Sequence, residues 1–166
     1  ENNFSVICEK PMTTTYEEAR DLEKIYKSNN LTFAVTYTYT GYPMIRQMKE
    51  MIKAGEIGEV QRVDLQYYQG WINPIIHDSK RRSETWRLQP HKSGISCCIG
   101  DIGTHAFDML EYVTGMEVDE LLSDLNYVYD DNIMDVDGTI LIRFSDKIKG
   151  VITVSYTHLR AHETAM

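Results

Sequence analysis

The sequence predicts a mixed fold, in which an α/β strand–helix–strand unit is followed by a region of long strands around one central helix. Three observations carry this. An apolar run and an alternating run flank a helical stretch within residues 4–39, and that order implies a parallel crossover of the kind that closes a doubly wound sheet. Residues 100–115 have a helical period and a polar row. Period-two alternation returns from Val60 and in three stretches after residue 117.

In chain order, Phe4-Ser5-Val6-Ile7-Cys8 reads as a buried strand. It stops at Glu9-Lys10-Pro11, because proline lacks an amide hydrogen and fixes φ. Lys10 then stands at a strand's carboxyl edge, where open α/β sheets gather ligands, although a plain solvated lysine also fits there. No Met precedes this run, so residue 1 is not expected to be the true N-terminus.

Thr14-Thr15-Tyr16-Glu17 fits a capping box, and Ala19, Leu22, Ile25 and Tyr26 carry a helical stripe to Asn29-Asn30. Residues 31–39 alternate Phe33, Val35, Tyr37 and Tyr39 against threonines and Ala34, a strand pattern. Pro43 opens a second helix whose stripe of Met44, Ile45, Met48, Met51 and Ile52 reads as core packing, with a stop at Ala54-Gly55. From Val60 a long strand follows, with Val63, Leu65 and Tyr67 on one face.

Residues 70–96 read as a long, ordered and functional loop holding both tryptophans. Trp86-Arg87 suits stacking on a ligand and clamping it, while Trp86 also suits an ordinary core anchor. His77, His91 and His105 have no metal-ligand spacing among them, so no metal is expected.

The central helix places Asp101, His105 and Asp108 at i, i+4 and i+7, one face of the rod. Ile102, Ala106, Met109, Leu110 and Val113 form a neighbouring apolar stripe. The polar row is either a solvated surface or a place where a proton is moved. Gly100 and Gly103 would admit another backbone or a flat ligand, and Gly115 is the expected stop.

Residues 118–128, 139–144 and 149–154 read as three further strands, the last two joined by a tight turn at Ser145-Asp146-Lys147. Asp130-Asp131-Asn132, with Asp135 and Asp137, lacks the EF-hand spacing and is expected to be a solvated loop. Residues 155–166 follow no pattern.

With 166 residues, 42% of them hydrophobic, the chain is long enough to bury a core. A net charge of -8 argues against nonspecific binding to nucleic acid or an anionic membrane, and no run approaches the length of a membrane span. A small soluble substrate fits better. Cys8, Cys97 and Cys98 show no spaced pairing pattern, so a reducing, cytoplasmic setting is expected.

Glu9-Lys10-Pro11 at a strand end, Trp86-Arg87-Leu88-Gln89-Pro90 followed by Ser93-Gly94, and Gly100-Asp101-Ile102-Gly103-Thr104-His105 together resemble the glucose-fructose oxidoreductase and inositol dehydrogenase family, Gfo/Idh/MocA. The resemblance runs from about Val6 to Val154. It implies the C-terminal end of a Rossmann domain in residues 1–39, then a substrate and oligomerisation α+β domain in 40–154 with a large, mostly antiparallel open sheet. That second domain would be dihydrodipicolinate-reductase-like, and the whole truncated at both ends.

The resemblance further implies an NAD- or NADP-dependent oxidoreductase that takes a hydride from a sugar or polyol, with Lys10, Asp101 and His105 as the catalytic group. Glu9, Lys10, Pro11, Trp86 and Arg87 would lie against the cofactor. Lys10, Tyr39, Asp101 and His105 would hold the substrate. A homo-oligomer formed through the open sheet is expected. Imidazole suits the acid/base task because its ordinary pKa, about 6.5, gives both protonation states near neutrality.

Two departures qualify the picture. The G-x-G-x-x-G turn that holds a pyrophosphate is missing, so the chain is expected to begin at the fifth strand of the Rossmann domain. Residues 155–166 resemble translated sequencing-adapter sequence. A gene fragment inactive on its own is the expectation, with a noncatalytic sugar-binding or oligomerisation module as the alternative.

Overall fold

Where an amide is missing, a ladder ends, and Pro11 sets the limits of the first unit. The computed structural model describes residues 4–29, 31–127 and 134–157. Val6–Glu9 forms β1, Tyr16–Asn29 forms α1 and Phe33–Thr36 forms β2. β1 and β2 pair in parallel from Val6 opposite Phe33 to Glu9 opposite Thr36. The strand expected over residues 31–39 therefore stops at Thr36, where β1 has no further residue to offer. Thr38–Gly41 turns instead into a 3-10 helix.

The capping box sits one residue later than the sequence suggested. The Thr15 hydroxyl accepts the Glu18 amide at 3.2 Å, while the Glu18 carboxylate accepts the Thr14 and Thr15 amides at 3.1 and 3.2 Å. No residue of α1 is buried.

Pro43–Lys53 forms α2, with Pro43 in the first turn. Arg62–Tyr68 is β3. Within residues 70–96, expected as a loop, the chain makes three short helices: α3 (Asn73–Ile76), α4 (Ser79–Glu84) and α5 (Pro90–Ser93), with a 3-10 turn at Trp86–Leu88. Pro74 and Pro90 sit in the first turns of α3 and α5, and Asp78 caps α4 by accepting the Lys80 and Arg81 amides at 3.0 Å. A π turn, Ile99–Gly103, leads into α6 (Thr104–Thr114), which ends where Gly115 takes φ 73°, a left-handed value that glycine adopts without strain.

The C-terminal strands are β4 (Val118–Tyr127), β5 (Asp135–Phe144) and β6 (Lys149–Ser155). Together with β3 they form a four-stranded sheet in the order β3-β6-β5-β4. β3 and β6 run parallel, and the other two pairings are antiparallel. Ile140, Ile142 and Phe144 of β5 and Ile152 and Val154 of β6 face inward, each 3% exposed or less. Ala106 and Leu110 of α6 and Ile72 and Ile76 around α3 join the same core. Each fully buried Ile or Leu contributes roughly 1.5–3 kcal/mol to this layer. The outer face is open, with Leu122 and its cross-strand partner Leu141 exposed.

Two expectations are corrected here. β5 begins at Asp135, four residues before the predicted strand, and Asp135 is 2% exposed rather than solvated, because main-chain amides satisfy its charge. Asp130, Asp131 and Asn132 lie outside the described residues. The sheet also reaches into the segment set apart as a tail: Ser155 ends β6, and Tyr156 is fully buried beneath it. Residues 158–166 lie outside the described residues. No helix among the described residues is long and apolar enough to cross a membrane.

Candidate active site

A π turn is wider than an α turn and is often found where a helix must offer a side chain at an unusual angle. Here it carries Asp101, with His105 four residues on in the first turn of α6. The close neighbours of Gly100 and Gly103 are side chains of their own segment. A Cβ would stand 3.3 Å from Ser96 at Gly100 and 3.0 Å from Ile99 at Gly103.

Asp101 is the meeting point of several donors. Lys10, delivered just past the end of β1, makes an ion pair with Asp101 Oδ1, and its Nζ also donates to the Asp101 carbonyl at 3.0 Å. Arg87 Nε donates to Oδ2 at 2.9 Å, and the Tyr156 hydroxyl donates to the same oxygen. Burial pushes the Asp101 carboxyl up, but the hydrogen bonds from Lys10 and Tyr156 and the charges of Lys10 and Arg87 outweigh it, holding its pKa below the ordinary 3.8. Asp101 is therefore ionised and Tyr156, pushed strongly up by burial first and then by Asp101, stays protonated.

On one side of this cluster lies a cavity of about 300 Å³ bounded by Lys10, Tyr39, Tyr67, Gln69, Asp101 and His105, among others. His105 is 8% exposed, with the Tyr39 ring tilted against it at 4.5 Å and the Tyr37 ring edge-on at 5.8 Å between centroids. Its Nδ1 is buried with no hydrogen-bond partner among the described residues. Burial first, and then the charge of Lys10, lower its pKa below 6.5 against the opposing pull of Asp101 and Glu9. The imidazole is thus neutral at pH 7, the form that accepts a proton. The Tyr39 and Tyr67 hydroxyls share a short hydrogen bond, and Gln69 Nε2 donates to Tyr67 at 2.8 Å. Burial and that bond push Tyr67 up to about 12, so it remains a donor.

Asp108, the third member of the predicted row, is not in this cavity lining. It lies toward Thr40 and Tyr37, its pKa raised by burial, with Oδ2 buried and unpartnered among the described residues. The wider π turn alters the register that a regular helix would keep between Asp101 and Asp108.

On the other side of Lys10 and Asp101 a second cavity, of about 500 Å³, is walled by Glu9, Pro11, Met12, Trp86 and Arg87. Trp86 is 49% exposed and so is no core anchor, and the Arg87 guanidinium lies 4.4 Å from its ring centroid. An apolar wall beside a cation and hydroxyl groups from Thr13 and Thr14 fits the flat, polar-edged end of a nicotinamide. Glu9, Lys10, Pro11, Trp86 and Arg87 all border this space, whereas Tyr39 borders the first.

Reading the sequence missed Tyr67, Gln69 and Tyr156. The sequence carries a signal for Tyr156, because Ile152, Val154 and Tyr156 continue one inward alternation beyond Val154. Tyr67 was placed on the apolar face of its strand without its hydroxyl being given a partner.

A model of the GFO/IDH/MocA C-terminal domain matches residues 45–165, and one of an oxidoreductase family with an NAD-binding Rossmann fold matches residues 1–37. This chain belongs to the Gfo/Idh/MocA oxidoreductase family. Among Gfo/Idh/MocA relatives, an uncharacterized oxidoreductase, YfiI, of Bacillus subtilis is 34% identical over 125 residues, covering 75% of this chain and 32% of that protein. A levoglucosan dehydrogenase of Pseudarthrobacter phenanthrenivorans is 32% identical over 114 residues, covering 66% of this chain and 27% of its own. A crystal structure of an inositol dehydrogenase homolog from Azotobacter vinelandii, complexed with NAD+, superposes with a TM-score of 0.82 at 29% identity, covering 93% of this chain and 40% of that one. A crystal structure of an inositol dehydrogenase homolog from Azotobacter vinelandii complexed with NADH and myo-inositol superposes with a TM-score of 0.78 at 29% identity, covering 93% of this chain and 38% of that one. The Gfo/Idh/MocA match thus spans roughly a third of the curated relatives and two fifths of the solved chain.

Proposed function

We propose that the complete protein carrying this sequence is an NAD(P)-dependent dehydrogenase of a sugar or polyol, with Lys10, Asp101 and His105 as its catalytic group. The observation that supports this most is the neutral, buried His105 beside the Lys10–Asp101 pair on one cavity of about 300 Å³. That volume lies at the small end of ligand sites.

In the proposed reaction a substrate hydroxyl enters the cavity with its oxygen near the Lys10 ammonium. His105 takes the hydroxyl proton, and the carbon gives up its hydrogen with the electron pair, leaving a carbonyl. The nicotinamide, when bound, supplies the hydride acceptor. Lys10 stabilises negative charge growing on the oxygen, and Asp101 keeps that ammonium in place while limiting its charge toward His105. A positioned base contributes on the order of a hundredfold to ten-thousandfold. Tyr39 and Tyr67 offer hydroxyls to the other oxygens of the substrate. Glu9, Pro11, Trp86 and Arg87 would border the nicotinamide.

Further parts of the reading are proposals of the same kind. The exposed leucines of the outer sheet face serve subunit contact. Residues 1–39 close a Rossmann domain and 40–154 form the substrate domain. The 166-residue chain alone does not turn over substrate, because the glycine-rich phosphate turn is not in its sequence. The test is nicotinamide absorbance at saturating cofactor with a sugar and polyol panel, using the full-length gene product. Reduction with at least one polyol is expected, and none across the panel would overturn the reading.

A further inference from the structure

A buried carboxylate has to be stabilised by its partners, and at Asp135 the stabilising groups among the described residues are main-chain amides. Asp135 opens β5 and accepts the Cys97 amide on Oδ1 at 2.9 Å and the Ile99 amide on Oδ2 at 2.7 Å. These amides belong to the start of the helical segment that runs on into α6, where aligned peptide dipoles favour negative charge. The Cys97 carbonyl in turn accepts the Asp101 amide at 3.1 Å, so a single residue links Asp135 to Asp101. Three positions along the same strand, Gly138 leaves room for Ile99, since a Cβ there would stand 2.8 Å from Ile99 Cδ1. Asp135 and Gly138 form a seat on the sheet for the turn.

We propose that Asp135 is a positioning residue for the candidate active site, anchoring from the sheet the turn that presents Asp101 to Lys10 and Arg87. Asp135 lines neither cavity, so its influence passes through the main chain. The effect on turnover rests on the dehydrogenase reading; the effect on the geometry of the turn does not.

The consequence is measurable at His105. The imidazole is faced by Lys10 and Glu9 from the end of β1, by Asp101 from the π turn, by the Tyr37 ring just before the 3-10 turn and by the Tyr39 ring within it. Lys10 lowers its proton affinity, and Asp101 and Glu9 raise it. A turn that lets Asp101 withdraw leaves Lys10 less opposed.

The experiment is an NMR titration of His105 in the full chain, assigned by comparison with H105N, for the unsubstituted protein, Asp135→Asn and Asp135→Glu. Asparagine keeps one acceptor and no charge, and glutamate keeps both acceptors and the charge, displaced by one methylene. In D135N the His105 midpoint falls by on the order of half a pH unit, and D135E recovers part of the shift. A folded D135N with an unmoved midpoint overturns the proposal. If neither variant folds, amide exchange in the unsubstituted chain decides. Cys97 and Ile99 amides as protected as those of β5 support the anchor, and rapid exchange overturns it. In the full-length protein D135N lowers kcat on the order of a hundredfold with a smaller rise in KM for the polyol. An inactive unsubstituted protein would remove the dehydrogenase reading and leave the titration to judge Asp135.

Discussion

Within these 166 residues, the β1–α1–β2 unit and the four-stranded sheet with α6 differ in burial. The sheet and α6 bury side chains such as Ile152, Val154 and Ala106 almost completely, whereas α1 buries none and Ile7 of β1 is 79% exposed. The residue that meets the core unit, Lys10, comes from the thinly packed one. The Lys10 side chain is only 14% exposed, and its ion pair with Asp101 and its bond to the Asp101 carbonyl hold the ammonium in place. Chemistry and cohesion are separable in this molecule, and substitutions can pull them apart.

The largest separation is expected at His105. In the full-length protein His105→Asn should lower kcat on the order of a hundredfold to ten-thousandfold in steady-state assays, with cofactor affinity and melting temperature little changed. A comparable loss in cofactor binding would mean that the imidazole holds the site together instead of moving a proton. Next comes the core: Ile152→Ala should cost about 2–5 kcal/mol in urea unfolding, because the cavity opens between packed layers.

Asp101→Asn probes the seam between the two units and should have a smaller effect. Because the folded pKa of Asp101 is depressed, its contribution is present above its unfolded value, about 3.9, and is lost as pH falls through the folded value. Acid should therefore release the first unit before the sheet, seen as early proteolysis near α1, and D101N should show that release already at neutral pH. For His105 the sign is opposite in use. Its depressed pKa puts the acid limb of kcat/KM for oxidation below 6.5, and a limb above that value would contradict the burial described for it. In the 166-residue chain the smallest effect belongs to Ile7→Ser, within about 0.5 kcal/mol by the same urea measurement. Equal losses for Ile7→Ser and I152A would end the contrast between the units.

Much of this was legible in the residues. Periodicity placed α1, α2, β3 and α6, while Pro11, Pro43 and Gly115 marked the end of β1, the start of α2 and the end of α6, because each acts through its own backbone chemistry. The i, i+4 spacing brought Asp101 and His105 to one face, but Lys10 lies 91 positions from Asp101, and its approach was reached through resemblance and not through local pattern. Asp135 was misread for a physical reason. An acidic residue near other acidic residues looks solvated, and only the amides of Cys97 and Ile99, contributed from 38 and 36 positions away, make burial tolerable. The short helices between residues 70 and 96 carry too few turns for a period to show.

The seat beneath the π turn has one more effect. Cys97 and Cys98 are buried beside Asp135, and burial first, then that nearby negative charge, pushes the Cys97 thiol up to about 12 and Cys98 up as well. Neither sulfur ionises at physiological pH, so electrophiles and mild oxidants that consume thiolates find no reactive form there. The arrangement under the turn leaves this part of the chain chemically inert even though two adjacent sulfur atoms lie within it.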